Sequence, residues 1–277
     1  MSFNSVNTNR QAVFANQSLN QTNAALGGVQ KRISTGFRVA DARDDGGAFA
    51  VAQAVRSDVA GVTAVNEQLG GVKGVLQTTF AALSTVSDTM KQARATLTRL
   101  ADGAIDSTQR TQYVEQYNLL SAQISSFIDD AKYNGKTLLS TATGTATGGG
   151  DIVGIRNEDG GQFTIAATDG ALLKLGTAAP TDAAASVTYL NNDFVTKDAA
   201  ISTALNKFGA SMQYVENQIT YNAKKVDALN DGLGALVDAD LAKESSNLQA
   251  LQTRQQLGIQ TLSLANQGPQ VLLSLFR

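Results

Sequence analysis

The 277-residue sequence contains no cysteine, no histidine and no tryptophan. Without cysteine there is no disulfide framework, no thiolate metal ligand and no thiol nucleophile. Without histidine there is no Ser-His-Asp relay and no histidine-held metal. The missing cysteine fits a reducing cytosol as well as a surface protein stabilised by polymer contacts, so it does not choose a compartment. Proline occurs only at Pro180 and Pro269, and neither interrupts a helix in the first half. Aromatic residues make up 6% of the chain, thin for one dense globular core, while Ala, Thr, Ser, Gln and Asn are abundant, as in long slender helices. A net charge of −2 gives no basic footprint, so nucleic acid is not an expected partner. No apolar run approaches the roughly 18 residues of a membrane span, so no membrane partner is expected either. The opening "MSFNSVNTNR" lacks a basic start followed by an apolar stretch, and is not read as a Sec-type signal.

What is present is periodicity. Ala12, Leu19, Leu26 and Ile33 are spaced by seven, and Ala15, Thr22 and Val29 repeat the spacing three places on. This is a thin a/d seam on a helix with almost no charge before Lys31 and Arg32. "STGFRVADARDDGGAF" interrupts it, with Gly36 and Gly46-Gly47 read as helix breakers. Fifteen apolar positions from Val51 to Leu100, among them Leu69, Leu76, Leu83, Met90 and Leu97, then follow one another by three or four, predicting a single very long helix. After "ADGAIDST", Tyr113, Tyr117, Leu120, Ile124, Phe127 and Ala131 predict another helix, stopped by a turn at "YNGKT".

Residues 140–196 change character. "DIVGIRNEDGGQFTIAATDG" reads as strand, turn, strand, with Asp159-Gly160 at the turn, and "SVTYL" as a further short strand. Helical spacing returns from Ile201 to Leu229, breaks at Gly232 and Gly234, and resumes through Val237, Leu241, Leu248, Leu251, Gly258, Leu262 and Ala265. The expected fold is mainly α. Long antiparallel helices form a discontinuous terminal coiled-coil domain, residues 1–44 with 235–277. A rod-like helical domain spans 45–234 and carries the small β-hairpin insert.

The chemical motifs fail on inspection. "NGKT" at 134–137 has the tail of a phosphate-binding loop, but Asp130 stands where the loop needs glycine, and a helix precedes it instead of a strand. "DARDDG" resembles the start of a calcium loop, yet Arg43 and Ala52 occupy ligand positions. "GGVKG" lacks the strand that a dinucleotide site requires. No catalytic residue, cofactor or metal is expected. Instead Arg38, Asp41, Arg43, Asp44 and Asp45 are read as an ion-pair cluster connecting the domains at a helix entrance.

The end, "QGPQVLLSLFR", sets Val271, Leu272, Leu273, Leu275 and Phe276 at a terminus, where chains ordinarily fray. An apolar terminus needs a partner. At this point the residues carry a family resemblance. "LQALQTRQQLGIQTLSLANQGPQVLLSLFR" closely resembles the C-terminal signature of bacterial flagellins, and "LNQTNAALGGVQKRISTGFRVADARDDGGAFAVAQAVRSDV" is similar to their N-terminal signature. "AKYNGKTLL" resembles the family's Phe-Asn-Gly turn, with Tyr133 in place of Phe. The likeness covers roughly residues 1–140 and 200–277. Phe37 and Gly46-Gly47 depart from the usual Ile or Leu and small-residue-with-Ala pattern. The short insert and residue types look like an alphaproteobacterial member.

The resemblance implies a structural subunit, not an enzyme, exported unfolded through the flagellar type III apparatus. It would polymerise with copies of itself into the extracellular filament used for motility. It also implies the flagellar cap, hook-associated proteins and an export chaperone as partners. The self-assembly positions expected on this basis are Ala12, Leu19, Leu26, Ile33, Leu248, Leu251, Leu262, Val271, Leu272, Leu275 and Phe276. A hook–filament junction protein of the same architecture is the alternative, and a secreted helical adhesin a distant one. A protease carried in the insert is disfavoured by its shortness and by the absence of histidine.

Overall fold

The computed structural model describes residues 9–140, 149–176 and 178–275, with the side chains of the last helix described as far as Gln267. Its elements are α1 (Arg10–Thr35), α2 (Gly46–Leu100), α3 (Ser107–Asp129), strands β1 (Ile152–Ile155) and β2 (Gln162–Ile165), α4 (Ala183–Tyr189), α5 (Val195–Val237) and α6 (Leu241–Leu275). The mainly helical class and the small hairpin follow the sequence pattern. Two compact units result, Met1–Ser57 with Ala228–Arg277, and Asp58–Asp227. The divisions fall inside α2 and α5, whereas the sequence pattern puts the domain limits at 44/45 and 234/235.

The 58–227 unit holds the main core. Leu69, Leu76, Leu83, Met90 and Leu97 of α2 are buried with Tyr117, Ile124 and Ile128 of α3 and Ile201, Phe208 and Val215 of α5. The apolar stripe of α2 turns inward almost throughout. Val51 is the departure: it is exposed, and Ala52 beside it is buried. The helices α2 and α5 run antiparallel, since Lys73 pairs with Glu216 at 2.9 Å and Phe80 lies against Gly209. Asp106 caps α3 by accepting from the Gln109 N–H at 2.8 Å. Arg110 donates to the carbonyls of Leu100 and Asp102, occupying acceptors that the end of α2 leaves open. Many threonine hydroxyls fold back onto the carbonyl four residues earlier, as at Thr79, Thr89 and Thr96.

Three sequence expectations are corrected here. "SVTYL" is not a strand: it lies in α4 and the π-helical turn Leu190–Phe194 that follows. Asp182 accepts from the Ala185 N–H and starts a helix on Ala183–Ala185, overriding the β preference of Val187 and Thr188. Gly46-Gly47 does not break a helix but begins α2, because Asp45 caps it through the Ala48 N–H at 3.0 Å. Nor does α5 stop at Gly232 and Gly234; it continues to Val237. Each glycine costs about 1 kcal/mol, and the packing of Leu233 and Leu236 against Val39, Ala52 and Val237 offsets it.

The hairpin is antiparallel, with Ile152 opposite Ile165 and Ile155 opposite Gln162. The Asn134-Gly135 turn is observed, with φ of 48° and 76° and a bridge between Tyr133 and Lys136. Two central residues with positive φ are what a tight two-residue connection needs.

Candidate functional site

The first unit is built around α1 and α6. Asn9 caps α1 by accepting from the Ala12 N–H at 3.1 Å, and Gly36 ends it in the left-handed region, φ 75°, returning its N–H to Arg32. The helices α1 and α6 pair antiparallel. Asn9 Nδ2 donates to the Ala265 carbonyl at 2.7 Å, Gln255 Nε2 to Asn23 Oδ1 at 2.8 Å, and Arg32 lies 3.1 Å from Glu244.

The heptad positions meet inside this pair. Val29 is buried, and Ala12, Leu19, Leu26 and Ile33 of α1 are half-buried, as are Leu248, Leu251 and Leu262 of α6. Val271, Leu272 and Leu275 fall within the last turns of α6, where side chains are not described, and Phe276 lies outside the described residues. A second set of apolar residues points away from the seam: Val13, Phe14, Leu257, Ile259 and Leu264 are exposed, Phe14 at 64% and Leu264 at 69%. Sequence periodicity missed them, because they sit beside the heptad positions instead of on them. Between the helices runs a groove of about 530 Å³ lined by Ala24, Ala25, Gly28, Ala250 and Leu251, with Arg32 and Arg254 at its edge.

The connection between α1 and α2 is an ion-pair cluster that contains three of the expected residues, Asp41, Arg43 and Asp44, together with Lys31. Lys31, not singled out in the sequence, is its centre: its ammonium lies 2.9 Å from Asp41 and 2.7 Å from Asp44. Arg43 reaches Asp41 at 3.0 Å. Asp44 also accepts from the Ala40 and Asp41 N–H groups. Lys31 holds the Asp44 carboxyl below its ordinary range, and Arg43 followed by Lys31 does the same for Asp41. The two carboxylates raise the Lys31 pKa, Asp44 most strongly. Asp45 and Arg38 stand apart from this network. Asp45 caps α2, and the Arg38 guanidinium donates to the Leu236 carbonyl. Backbone bonds join the same region: Arg38 N donates to Val237 O at 2.7 Å and Ala239 N to Gly36 O at 2.9 Å.

Among the described residues no three His, Cys, Asp or Glu side chains gather to hold a metal, and no helix is long and apolar enough to cross a membrane. All 24 acidic residues lie between Asp41 and Glu244, so residues 1–40 and 245–277 contain none. The paired helices thus present small, amide, hydroxyl and apolar side chains with very few charges.

Comparison with known proteins agrees with this character. Residues 6–143 match the family model described as the bacterial flagellin N-terminal helical region, and residues 196–276 match the C-terminal helical region. Flagellin FljM of the alphaproteobacterium Caulobacter vibrioides is 38% identical over the whole length of both chains. The crystal structure of Bacillus cereus flagellin superposes with a TM-score of 0.51 at 22% identity, covering 56% of this chain and 88% of that one. A Vibrio parahaemolyticus protein assigned as hook-associated gives 0.60 at 15% identity, covering 70% and 100%. At those identities the structural likeness is one of fold. With two family models spanning most of the sequence and a relative alignable end to end, the chain belongs to the bacterial flagellin family.

Proposed function

We propose that this flagellin, a structural subunit of the bacterial flagellar filament, polymerises through the outward face of its α1–α6 pair. The observation that carries the reading is the division of labour between two apolar sets. Ala12, Leu19, Leu26, Ile33, Leu248, Leu251 and Leu262 hold the helices to each other, while Val13, Phe14, Leu257, Ile259 and Leu264 remain free for a neighbour. Val271, Leu272, Leu275 and Phe276 continue the apolar character in sequence toward the C-terminus. Each large apolar side chain buried by a neighbour contributes about 1.5–3 kcal/mol. In a head-to-tail polymer the contact repeats at every subunit. The ion-pair connection at Lys31, Asp41, Asp44 and Arg43 fixes the base of the pair and takes no part in catalysis. Flagellar type III export, an extracellular location, and service by the cap, hook-associated proteins and a chaperone accompany this role. The limits 1–44 and 235–277 for the inner domain, with 45–234 outside it, belong to the same proposal.

The hook–filament junction reading has support in the fold likeness to the Vibrio protein. The end-to-end identity with a flagellin favours the filament subunit. The experiment is elongation of filament seeds by purified chain, viewed by electron microscopy. Wild-type chain should elongate them, and Phe14→Asp or Leu264→Asp should not, with thermal melting of either variant unchanged. Normal filaments from both variants would remove the outward face from the contact.

A further inference from the structure

The groove beside the α1–α6 seam has two lobes. The first, about 530 Å³, is lined by Ala24, Gly28 and Ala250, and the second, about 450 Å³, by Leu19, Leu257 and Gly258. Ala25, Leu251 and Arg254 belong to both, so the lobes form one channel. Its edges are heptad rows: Ser18, Ala25 and Arg32 on α1, and Asn247, Arg254 and Thr261 on α6. Two helices whose flanks repeat every seven residues offer the holes that a third coiled helix fills. Along each helix the linings of the two lobes are offset by about seven residues, roughly 10 Å.

An occupant must carry large apolar side chains seven residues apart on a helix. Among the described residues two exposed pairs have that spacing, Leu257 with Leu264 on α6 and Tyr214 with Tyr221 on α5. The tyrosine pair is already engaged. Tyr214 leans on Phe163, ring centroids 5.3 Å apart, and Gln218 between the tyrosines is bonded to the Arg156 carbonyl. Leu257 and Leu264 are 55% and 69% exposed, and Thr261 lies between them on the same face with its hydroxyl turned back onto its own helix. From Gln255 to Phe276 the chain carries no charge, so this stretch sets no second cation against Arg254. Leu257 cannot fill the groove of its own copy, because it is part of the wall. We propose that Leu257 and Leu264 of a second copy seat in the two lobes, Leu257 in the small-residue lobe and Leu264 in the lobe over Gly258. Copies in a head-to-tail polymer point the same way. The entering α6 therefore lies about one heptad, roughly 10 Å, nearer the Gly36–Ala239 end than the α6 beside it. The inference rests on reading the pair as the assembly surface, and adds which part of one copy enters which part of the next.

The chain has no cysteine, so single substitutions report cleanly. Ala25→Cys marks the point where the lobes join, and Thr261→Cys marks the midpoint between the leucines. Both positions are exposed, and neither substitution removes a seated side chain. The two single-cysteine chains are mixed, diluted into wild-type chain, grown on filament seeds and oxidised. A dimer joining the one chain to the other should form, since the seated sulfurs come within disulfide reach. Adding Leu257→Ala and Leu264→Ala to the Thr261→Cys chain should abolish it, while the wild-type chain keeps the filaments growing. The inference is overturned if the Ala25→Cys chain links instead to itself, placing groove against groove, or to an Asn217→Cys chain, which reports the tyrosine pair. It is equally overturned if filaments form without the link, or if the link survives loss of both leucines. Wild-type chain that fails to elongate seeds overturns the proposed function and this seat together, whereas filaments without the link overturn the seat alone.

Discussion

Glu158, at the tip of the hairpin, pairs its carboxylate with the ammonium of Lys225 on α5, and its Cβ also closes on Gly61 of α2. The tip is held further by the Arg156 carbonyl, which accepts from Gln218 at 3.0 Å and Asn222 at 3.2 Å. Lys225→Met should therefore destabilise the chain by about 1.5–3 kcal/mol, the range for a hydrogen bond to a charged group. Glu158→Gln should cost less, because it leaves no unpaired carboxylate. Denaturant melts of the two variants check the order, and equal losses would argue against a charge-specific contact.

Acid should weaken the chain through the same groups. The carboxyls of Asp41, Asp44 and Glu158 are held below their ordinary values by Arg43 and Lys31, by Lys31, and by Lys225 respectively. A depressed folded-state value means that the contribution is present above the unfolded carboxyl range, about pH 4, and is lost as pH falls through the folded values. Lys31 and Lys225 are raised, so their share persists at neutral pH and fades only as pH rises through their folded values. Melting temperature should fall from pH 5 to pH 2, and Lys31→Met with Lys225→Met should flatten that fall. An unaltered slope would place the acid sensitivity elsewhere.

Glycines of α2 should respond differently according to what faces them. A Cβ at Gly70 meets nothing within 4 Å, so Gly70→Ala should gain about 0.5–1 kcal/mol from helix propensity. A Cβ at Gly74 would come 2.8 Å from the Tyr133 ring. Gly74→Ala should therefore show no such gain, and the deficit should vanish in a Tyr133→Ala background. Thermal melts of the four proteins form the cycle, and additive effects would show that the ring contact is idle.

Leu272→Asp should abolish seed elongation while the melting of the 58–227 unit stays as in the wild type. An unpaired carboxylate is costly at a buried contact and harmless at an open one. Normal filaments from this variant would leave the apolar C-terminal stretch without a role in assembly.

Much of this was legible in the sequence because long helices advertise themselves. Leu69, Leu76, Leu83, Met90 and Leu97 repeat often enough to fix α2 and its inward side. What stayed hidden depends on distant partners. Gly232 and Gly234 look like a stop until Leu233 and Leu236 are seen packed on Val39 and Ala52. Lys31 looks like the tail of a helix until it is found between Asp41 and Asp44. Phe14 and Leu264 fall off the heptad, so only the paired helices reveal them as an outward face.

The back-bonded hydroxyls have a consequence for how such a surface can be both wet and dry. Along the terminal helices Thr22, Thr35, Thr253 and Thr261 each donate to a carbonyl of their own helix. A hydroxyl already satisfied by its own backbone gives up little when a neighbour excludes water from it, and asks for no particular acceptor in return. On the proposed assembly face, hydroxyls satisfied in this way leave no directional bond of their own to break when subunits shift slightly. If the proposed assembly face is the one buried, cohesion there rests on contact area more than on directional bonds between subunits.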